Sequence, residues 1–246
     1  MTPLRITRSG LLGSILVIAV ATACVRLGVW QLHRLAERRA HNAVVRARMT
    51  APPLALQRVP GDTAGLAFRA AAAFGHWDDA RTIVLGARTY RDDPGVYVLT
   101  PLLLPGGGAV LVNRGWLPSP DDATVDLRPY GVDGAAAVRG LLVPMPTGRM
   151  PPGPQSRRTW FALDPASLAR QFPYPLAPLL LQVAPTPASG AALPRPVPPP
   201  ELGEGPHLSY AVQWFSFAAI GLIGWVVLLL KRNETREERG APTPPG

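Results

Sequence analysis

His207 stands near the C-terminal end of the chain, among neighbours that suit a metal ion or a flat cofactor. It begins an apolar stretch, and Tyr210 and Trp214 follow at positions i+3 and i+7, on the same face of a helix. A helix N-terminus disfavours an imidazolium and so favours a neutral ring with a lone pair for a metal. The two aromatic side chains could flank a flat apolar cofactor such as haem. The alternative is an interfacial histidine within an aromatic belt, with no ligand.

Arg114 is the second candidate for a binding residue. It lies in the run Asn113-Arg114-Gly115-Trp116, at the end of an apolar strand. A guanidinium at that place could form a forked pair with a carboxylate such as a propionate. The alternative is a structural arginine that stacks on Trp116 or pairs with an aspartate in a turn.

The other polar candidates predict structural roles. His33 and His41 lie eight positions apart on a predicted helix, and His76 lies in a predicted turn. The acidic pairs 78–79, 92–93 and 121–122 all adjoin turn residues, where solvated carboxylates are common. Cys24 is the only cysteine, so an intrachain disulfide and a cysteine-based metal site are excluded. The sequence also lacks the P-loop, HExxH, CxxC and nucleophile-elbow signatures, and we predict a protein that is not an enzyme.

Two apolar stretches predict helices that place these residues at a membrane. Residues 207–230 form 24 positions without a formal charge, enough to cross a hydrocarbon core of about 30 Å. Residues 9–30 predict a first spanning helix, with Arg26 near its far end and Trp30 as an interfacial anchor. A cleaved signal peptide, or a lipoprotein signal that ends at Cys24, is the alternative for this first stretch.

The distribution of basic residues predicts that both termini are cytoplasmic. Four bases follow the second apolar stretch, whereas only Arg195 lies shortly before it. Residues 1–8 and 231–246 are then cytoplasmic, and residues 31–206 form a domain on the periplasmic side. Arg34, Arg38 and Arg39 follow the first stretch and favour the opposite orientation. The charge rule is weak beside a long translocated loop, so the second stretch decides.

Residues 31–206 predict one β-rich domain of the α+β class, built as an antiparallel sheet or a small barrel. The first helix continues through residues 31–49 until Pro52-Pro53. Asp164 caps a short helix that begins at Pro165. A Pro-rich linker, residues 184–206, returns to the membrane. Strands are predicted at 68–74, 81–90, 96–104, 109–116, 135–143 and 176–183, and turns at 76–79, 92–95 and 105–108.

The overall charge does not predict a nucleic-acid partner. The chain of 246 residues is 47% hydrophobic and carries a formal net charge of +9. The basic residues are spread along the chain and form no stripe that alternates with aromatic residues. The predicted partner of the two apolar stretches is the lipid bilayer, with no nucleic acid.

Four segments resemble motifs of the surfeit locus protein family of cytochrome c oxidase assembly factors. They are residues 27–34 (LGVWQLHR), 95–102 (GVYVLTPL), 110–118 (VLVNRGWLP) and 207–215 (HLSYAVQWF). The segments follow the family's order across nearly the whole chain. Gly205-Pro206 departs from the family's pattern, which more often has Asn and a basic residue there, and this leaves open how His207 is aimed.

The resemblance implies a bacterial inner-membrane protein with two spans and a large periplasmic domain. It implies a role in maturing haem-copper oxidase, by binding haem a and helping to place it in subunit I. His207 would then be the ligand of the haem iron, Tyr210 and Trp214 would flank the ring, and Arg114 would meet a propionate. Haem a synthase is a further partner that the resemblance implies. Gln31 matches a motif position to which the resemblance assigns no role.

Two other functions remain as alternatives. A membrane scaffold could hold an oxidase assembly intermediate without any cofactor, and Ala211, Ala218 and Gly221 offer small residues for close helix approach. An exported hydrolase on a membrane anchor has no motif to support it. A visible haem spectrum distinguishes an assembly factor that carries haem from a scaffold without a cofactor.

Overall fold

The computed structural model describes residues 8–148, 158–186 and 192–240, and the chain forms two compact units. The helical unit joins Met1–Ala43 to Leu202–Gly246, and the barrel unit comprises Val44–Glu201. The described residues form three α-helices: α1 (Arg8–Thr50), α2 (Pro165–Gln171) and α3 (His207–Gly240). The predicted fold class, two long apolar helices that flank a β-rich domain, is confirmed.

The two long helices are α1 and α3. Both are long and apolar enough to cross a membrane, over Gly10–Thr50 and His207–Asn233, which identifies the chain as a membrane protein. The 43 residues of α1 extend about 65 Å, roughly twice the thickness of a hydrocarbon core. The prediction that the first helix continues well beyond its apolar part is therefore confirmed.

Small residues line the seam where α1 and α3 pack together. Ala21 and Cys24 of α1 and Ala218 of α3 form one buried cluster, against which Trp214 packs. Near the other end of the seam, the Trp225 Nε1 donates a hydrogen bond of 2.9 Å to Ser14 Oγ. The buried positions of α1 that contact α3 recur at spacings of three and four: Ala21, Cys24 and Gly28.

A closed five-stranded barrel organises the second unit. Its strands, in order around the barrel, are β2, β6, β8, β5 and β4, and β2 closes the ring by pairing with β4. The β5–β8 pair is parallel and the other barrel pairs are antiparallel. Of the two predicted architectures, the small barrel is the one that forms. The eight strands are β1 (Leu54–Leu56), β2 (Ala70–Trp77), β3 (Ile83–Tyr90), β4 (Asp93–Leu103), β5 (Ala109–Pro118), β6 (Ala135–Pro144), β7 (Thr159–Trp160) and β8 (Leu176–Val183).

Strand β5 is buried on both faces, which explains its continuous apolar run. Val110 and Val112 join a cluster to which all five barrel strands contribute. Leu111 points the other way, into a second cluster with Trp160 of β7 and Leu168 of α2. Because eight of the ten positions of the strand are buried, its sequence does not alternate between apolar and polar residues.

The short helix α2 begins as its sequence predicts. The Asp164 carboxylate accepts a hydrogen bond of 2.8 Å from the Ser167 backbone N–H, and Pro165 occupies the first turn. The cap satisfies an N–H group that the helix itself leaves free, and proline supplies the backbone angle that the first turn needs.

The predicted end of the strand at 68–74, which corresponds to β2, was wrong. Gly75, His76 and Trp77 continue β2, although the sequence predicts that Gly75 ends the strand and that 76–79 form a turn. His76 and Trp77 pair with Leu103 and Leu102 where β2 closes the barrel. A Cβ at Gly75 would lie 2.1 Å from the Leu103 carbonyl oxygen, so the glycine permits a close strand crossing rather than a turn.

The predicted turn at 92–95 was also displaced. The β3–β4 turn consists of Arg91 and Asp92, both with positive φ (50° and 71°), and β4 begins at Asp93. A two-residue hairpin of this kind matches the twist of the flanking strands. Pro94 fits at the start of β4, where its carbonyl oxygen accepts a hydrogen bond of 3.2 Å from the Ser119 N–H.

Candidate functional site

His207 is the first residue of α3, directly after Pro206. The Pro206 carbonyl oxygen accepts hydrogen bonds from Ser209 Oγ at 2.8 Å and from the Tyr210 N–H at 3.1 Å. Gly205-Pro206 therefore starts the helix cleanly, and the imidazole is not needed to cap it. The ring is half-buried.

The imidazole of His207 is held by the other long helix. Its Nδ1 lies 2.9 Å from Oε1 of Gln31 on α1. Gln31 is itself half-buried. Its place in the first motif was evident from the sequence, but its contact was not, because 176 positions separate the two residues.

The segment that leads into α3 is fastened to α1 as well. Arg39 Nε and Nη2 donate hydrogen bonds of 2.8 Å to Oε1 and Oε2 of Glu204. Arg38 Nε donates to the Gly203 carbonyl oxygen at 3.2 Å. The buried Asn42 amide donates at 3.1 Å to the carbonyl oxygens of Leu202 and Gly203. These contacts fix the backbone just before His207, so the start of α3 has a defined position on α1.

The two aromatic residues after His207 have different surroundings. Tyr210 is 46% exposed on the helical unit. Trp214 is half-buried against Ala21, Cys24 and Ala218, and its ring meets Phe217 edge to face with centroids 5.9 Å apart. Trp214 therefore helps to form the helix seam, whereas the Tyr210 ring is open to a ligand or to lipid.

Arg114 belongs to the barrel unit, where it occupies a β-bulge. Asn113 and Gly115 pair with consecutive residues of β4, so Arg114 has no partner on that strand. Burial lowers the pKa of its guanidinium, and the charge of Asp79 acts in the opposite direction. Within the described part of the chain, the half-buried side chain has no hydrogen-bond or ion-pair partner.

The residues around Arg114 dock part of the predicted linker on the barrel. Trp116 and Arg195 exchange two backbone hydrogen bonds, of 2.7 and 2.8 Å. The Arg195 guanidinium lies 4.9 Å from the Tyr90 ring centroid and 5.9 Å from that of Trp116. Asn113 Oδ1 accepts a hydrogen bond of 3.1 Å from the Gly115 N–H. Trp116 thus stacks with Arg195, and not with Arg114.

The remaining candidates have structural surroundings. His33, His41 and His76 are exposed, and Cys24 is buried in the helix seam. Hydrogen bonds from Thr124, Ser119 and Ala123 hold the pKa of Asp121 well below its usual range. Across residues 8–148, 158–186 and 192–240, no three His, Cys, Asp or Glu side chains are grouped so as to hold a metal ion.

Comparison with known proteins identifies the family. The model of the SURF1 family matches residues 18–219, which is most of the chain. The chain belongs to the SURF1 family. The matched range contains Gln31, Arg114 and His207, and it confirms the resemblance that the four motifs carry.

Similar proteins align along nearly their full length. A SURF1-like protein of Monosiga brevicollis is 28% identical over 250 residues, covering 96% of this chain and 93% of that protein. An uncharacterized SURF1-like protein of Mycobacterium bovis is 26% identical over 242 residues, covering 94% and 88%. A SURF1-like protein of Rickettsia felis is 22% identical over 220 residues, covering 87% and 95%. Proteins of the SURF1 family are known as oxidase assembly factors rather than catalysts.

Proposed function

We propose that this SURF1 family member is an assembly factor for haem-copper cytochrome c oxidase that binds haem a and assists its insertion into subunit I. The observation that carries the proposal is the environment of His207. Its ring is half-buried at the start of α3, and its Nδ1 contacts Gln31, which leaves Nε2 for an iron atom.

The surroundings of His207 fit a large, flat and apolar cargo. A Cβ placed at Gly205 would lie 3.5–3.6 Å from Cδ2 and Nε2 of the ring, so glycine keeps that edge of the imidazole uncovered. Tyr210 adds an exposed aromatic face on the same helix. Haem a is too apolar to cross water freely, and a carrier at the bilayer surface avoids that cost. A single protein ligand suits a carrier, because the haem must later be released.

Arg114 is the proposed partner of a haem propionate. Its guanidinium is half-buried and has no partner among the described side chains, and burial disfavours its charge. A carboxylate would restore that balance through a charge-assisted hydrogen bond. Because β-bulges redirect a side chain, the bulge offers a physical reason for an arginine at this point of β5.

The proposed location is the bacterial inner membrane, with both termini cytoplasmic and the barrel unit periplasmic. The proposed partners are subunit I, haem a synthase and the lipid bilayer. The scaffold remains the competing function. Two of the three small residues that would serve it, Ala211 and Ala218, are buried within the helical unit and so are not open to another protein.

The visible spectrum of the purified protein tests the proposal. Wild type and His207→Ala would be purified in mild detergent from cells that make haem a. We expect a Soret band in wild type that is lost or shifted in His207→Ala. His33→Ala is the matched control, because His33 is an exposed histidine on α1, and it should keep the wild-type band.

A second comparison tests Arg114. We expect Arg114→Gln to weaken haem retention by about 10–150-fold, since a charge-assisted hydrogen bond contributes about 1.5–3 kcal/mol. Arg139→Gln replaces an exposed arginine on another barrel strand and should have no effect. No Soret band in any variant, while oxidase is still made only when the protein is present, would reject the carrier and leave the scaffold.

A further inference from the structure

The contact between His207 and Gln31 constrains more than the position of the ring. Gln31 Oε1 lies 2.9 Å from His207 Nδ1. An amide oxygen only accepts hydrogen bonds, so Nδ1 must be the donor. A neutral imidazole carries a single N–H, and its other nitrogen then has a lone pair.

We propose that Gln31 is a positioning residue that holds His207 in the Nδ1–H tautomer and so presents Nε2 as its metal-binding atom. The tautomer follows from the hydrogen bond alone, whereas the role of Gln31 in metal binding rests on the proposed haem-binding function. Partners of the remaining ring nitrogen commonly fix the tautomer and orientation of a metal-binding histidine, and they raise its basicity.

The backbone on both sides of this hydrogen bond is fixed within the helical unit. Arg39 and Asn42 hold the segment just before His207, at the contacts of 2.8 and 3.1 Å described above. Gly28, one turn before Gln31, packs against Phe215 of α3. The backbone positions of Gln31 and His207 are therefore fixed relative to each other, so that forming the hydrogen bond orders only the two side chains.

The opposite edge of the ring differs in what it meets. Gly205 adjoins Cδ2 and Nε2 and contributes no side chain there. Among the described residues, Nε2 has no hydrogen-bond partner, whereas Nδ1 is occupied. The two nitrogens are thus unequal: one is bound by the protein and the other is free for a ligand.

Nitrogen NMR of the full-length, haem-free protein in detergent tests the tautomer without any cofactor. The protein would be labelled with ¹⁵N-histidine and measured near pH 8.5, well above the ordinary histidine pKa of about 6.5. The His207 signals are those lost in His207→Ala. We expect a protonated Nδ1 and an unprotonated Nε2, while the exposed His33, His41 and His76 report the averaged tautomers of free imidazole.

Three variants separate Gln31 from a general effect on folding. Gln31→Leu should shift the His207 signals toward those of the exposed histidines, and Gln31→Glu should keep the wild-type pattern because it retains an acceptor. Gln213→Leu makes the same replacement at an exposed position of α3 and should change nothing. A protonated Nε2 in wild type, or the same tautomer in Gln31→Leu, would overturn the proposal.

Haem titration then tests whether Gln31 contributes to haem binding at His207. Loss of such a partner typically weakens metal binding 10–100-fold, so we expect at least a tenfold loss in Gln31→Leu. Gln31→Glu should restore affinity and lower the reduction potential of the iron, because a carboxylate makes the ring more basic. Equal affinity in wild type and Gln31→Leu would overturn the positioning role. Wild type that binds no haem would overturn the proposed function, whereas the NMR result decides the tautomer separately.

Discussion

At Gly115 the backbone adopts a φ of +139°, which a residue with a side chain rarely takes. A Cβ there would also lie 2.5 Å from the Arg195 carbonyl oxygen. We expect Gly115→Ala to lower the free energy of unfolding by about 1–3 kcal/mol, because it strains the backbone and separates Trp116 from Arg195. Urea denaturation of the full-length protein in detergent measures the change.

Gly61→Ala is the matched control for this substitution. Gly61 has no atom within 4 Å of the position of an added Cβ. Its replacement should leave the urea midpoint within error, since exposed substitutions away from special features usually change stability little. A Gly115→Ala variant as stable as Gly61→Ala would mean that the docking of Arg195 contributes nothing to the fold.

Tyr174 makes the stability of the barrel unit depend on pH in the alkaline range. Its hydroxyl donates a hydrogen bond of 2.7 Å to Asp78 Oδ2. Burial, and then the hydrogen bond and charge of Asp78, raise the pKa of Tyr174 above the ordinary value of about 10. A raised pKa means that the folded protein holds this proton more tightly than the unfolded chain. The stabilisation is therefore complete below about pH 10 and declines as pH rises further.

The comparison of wild type with Tyr174→Phe measures this stabilisation. We expect wild type to be more stable by about 1 kcal/mol at pH 8, the contribution of an ordinary hydrogen bond, and the difference to shrink above pH 10. Tyr130→Phe is the control, because the Tyr130 hydroxyl has no hydrogen-bond partner among the described residues. A difference that stays constant from pH 8 to pH 11 would contradict the assignment to the Tyr174 proton.

At the scale of elements, the features set by neighbouring residues could be predicted from the sequence, whereas those set by long-range contacts could not. The capped start of α2 and the strand at 176–183 follow from nearby Asp and Pro residues and from a continuous apolar run. The end of β2 could not be predicted in the same way. A glycine in a strand pattern indicates the end of the strand unless a neighbouring strand, here β4, is known to pass close to it. The Gln31–His207 bond could not be predicted either, since nothing local to either residue names its partner.

The packing of α1 on α3 leads to a prediction about Gly28. A Cβ at Gly28 would lie 2.7 Å from the Phe215 ring, so a larger residue must force the helices apart or move that ring. Cys24 lies one turn away in the same seam and is the only cysteine of the chain. We expect Gly28→Leu to increase the rate at which N-ethylmaleimide labels Cys24 in detergent several-fold, because the thiol becomes exposed.

Gly224→Leu is the control for the seam. Gly224 lies on α3, and no atom lies within 4 Å of a Cβ at that position. The substitution adds the same side chain to the same helix pair without entering the seam, so the labelling rate should stay at the wild-type value. Equal labelling in Gly28→Leu and wild type would show that the seam tolerates the added volume.

At the scale of the whole molecule, the sequence left two architectures open for the domain. Hairpin turns and alternating patterns identify strands, but they do not say whether the last strand returns to the first. Closure depends on only two paired positions, where His76 and Trp77 of β2 meet β4. The sequence predicts a turn at both residues, and their pairing with β4 is a long-range contact that no local pattern shows, so the barrel could not be distinguished from an open sheet.

The orientation in the membrane remains a prediction of the whole chain. Lys231 and Arg232 follow the apolar part of α3, which favours a cytoplasmic C-terminus. Arg38 and Arg39 follow the apolar part of α1 and oppose this, but both are bound to the segment before α3. Because that segment and the end of α1 must lie on the same side of the membrane, a single orientation holds for both helices. The bases after α3 decide which one, and we expect the barrel unit to be periplasmic.

Alkaline phosphatase fusions measure this orientation, since the enzyme needs disulfides that form only outside the cytoplasm. Insertion at Gly107, in the open turn between β4 and β5, should give an active phosphatase. Fusion after Gly246 should give an inactive one in the same membranes, at equal protein level. The reverse pattern would place residues 51–206 and the start of α3 on the cytoplasmic side. His207 could then not receive haem a at the periplasmic surface. The orientation test therefore also bears on the proposed function, because the carrier needs His207 and subunit I to meet at one surface.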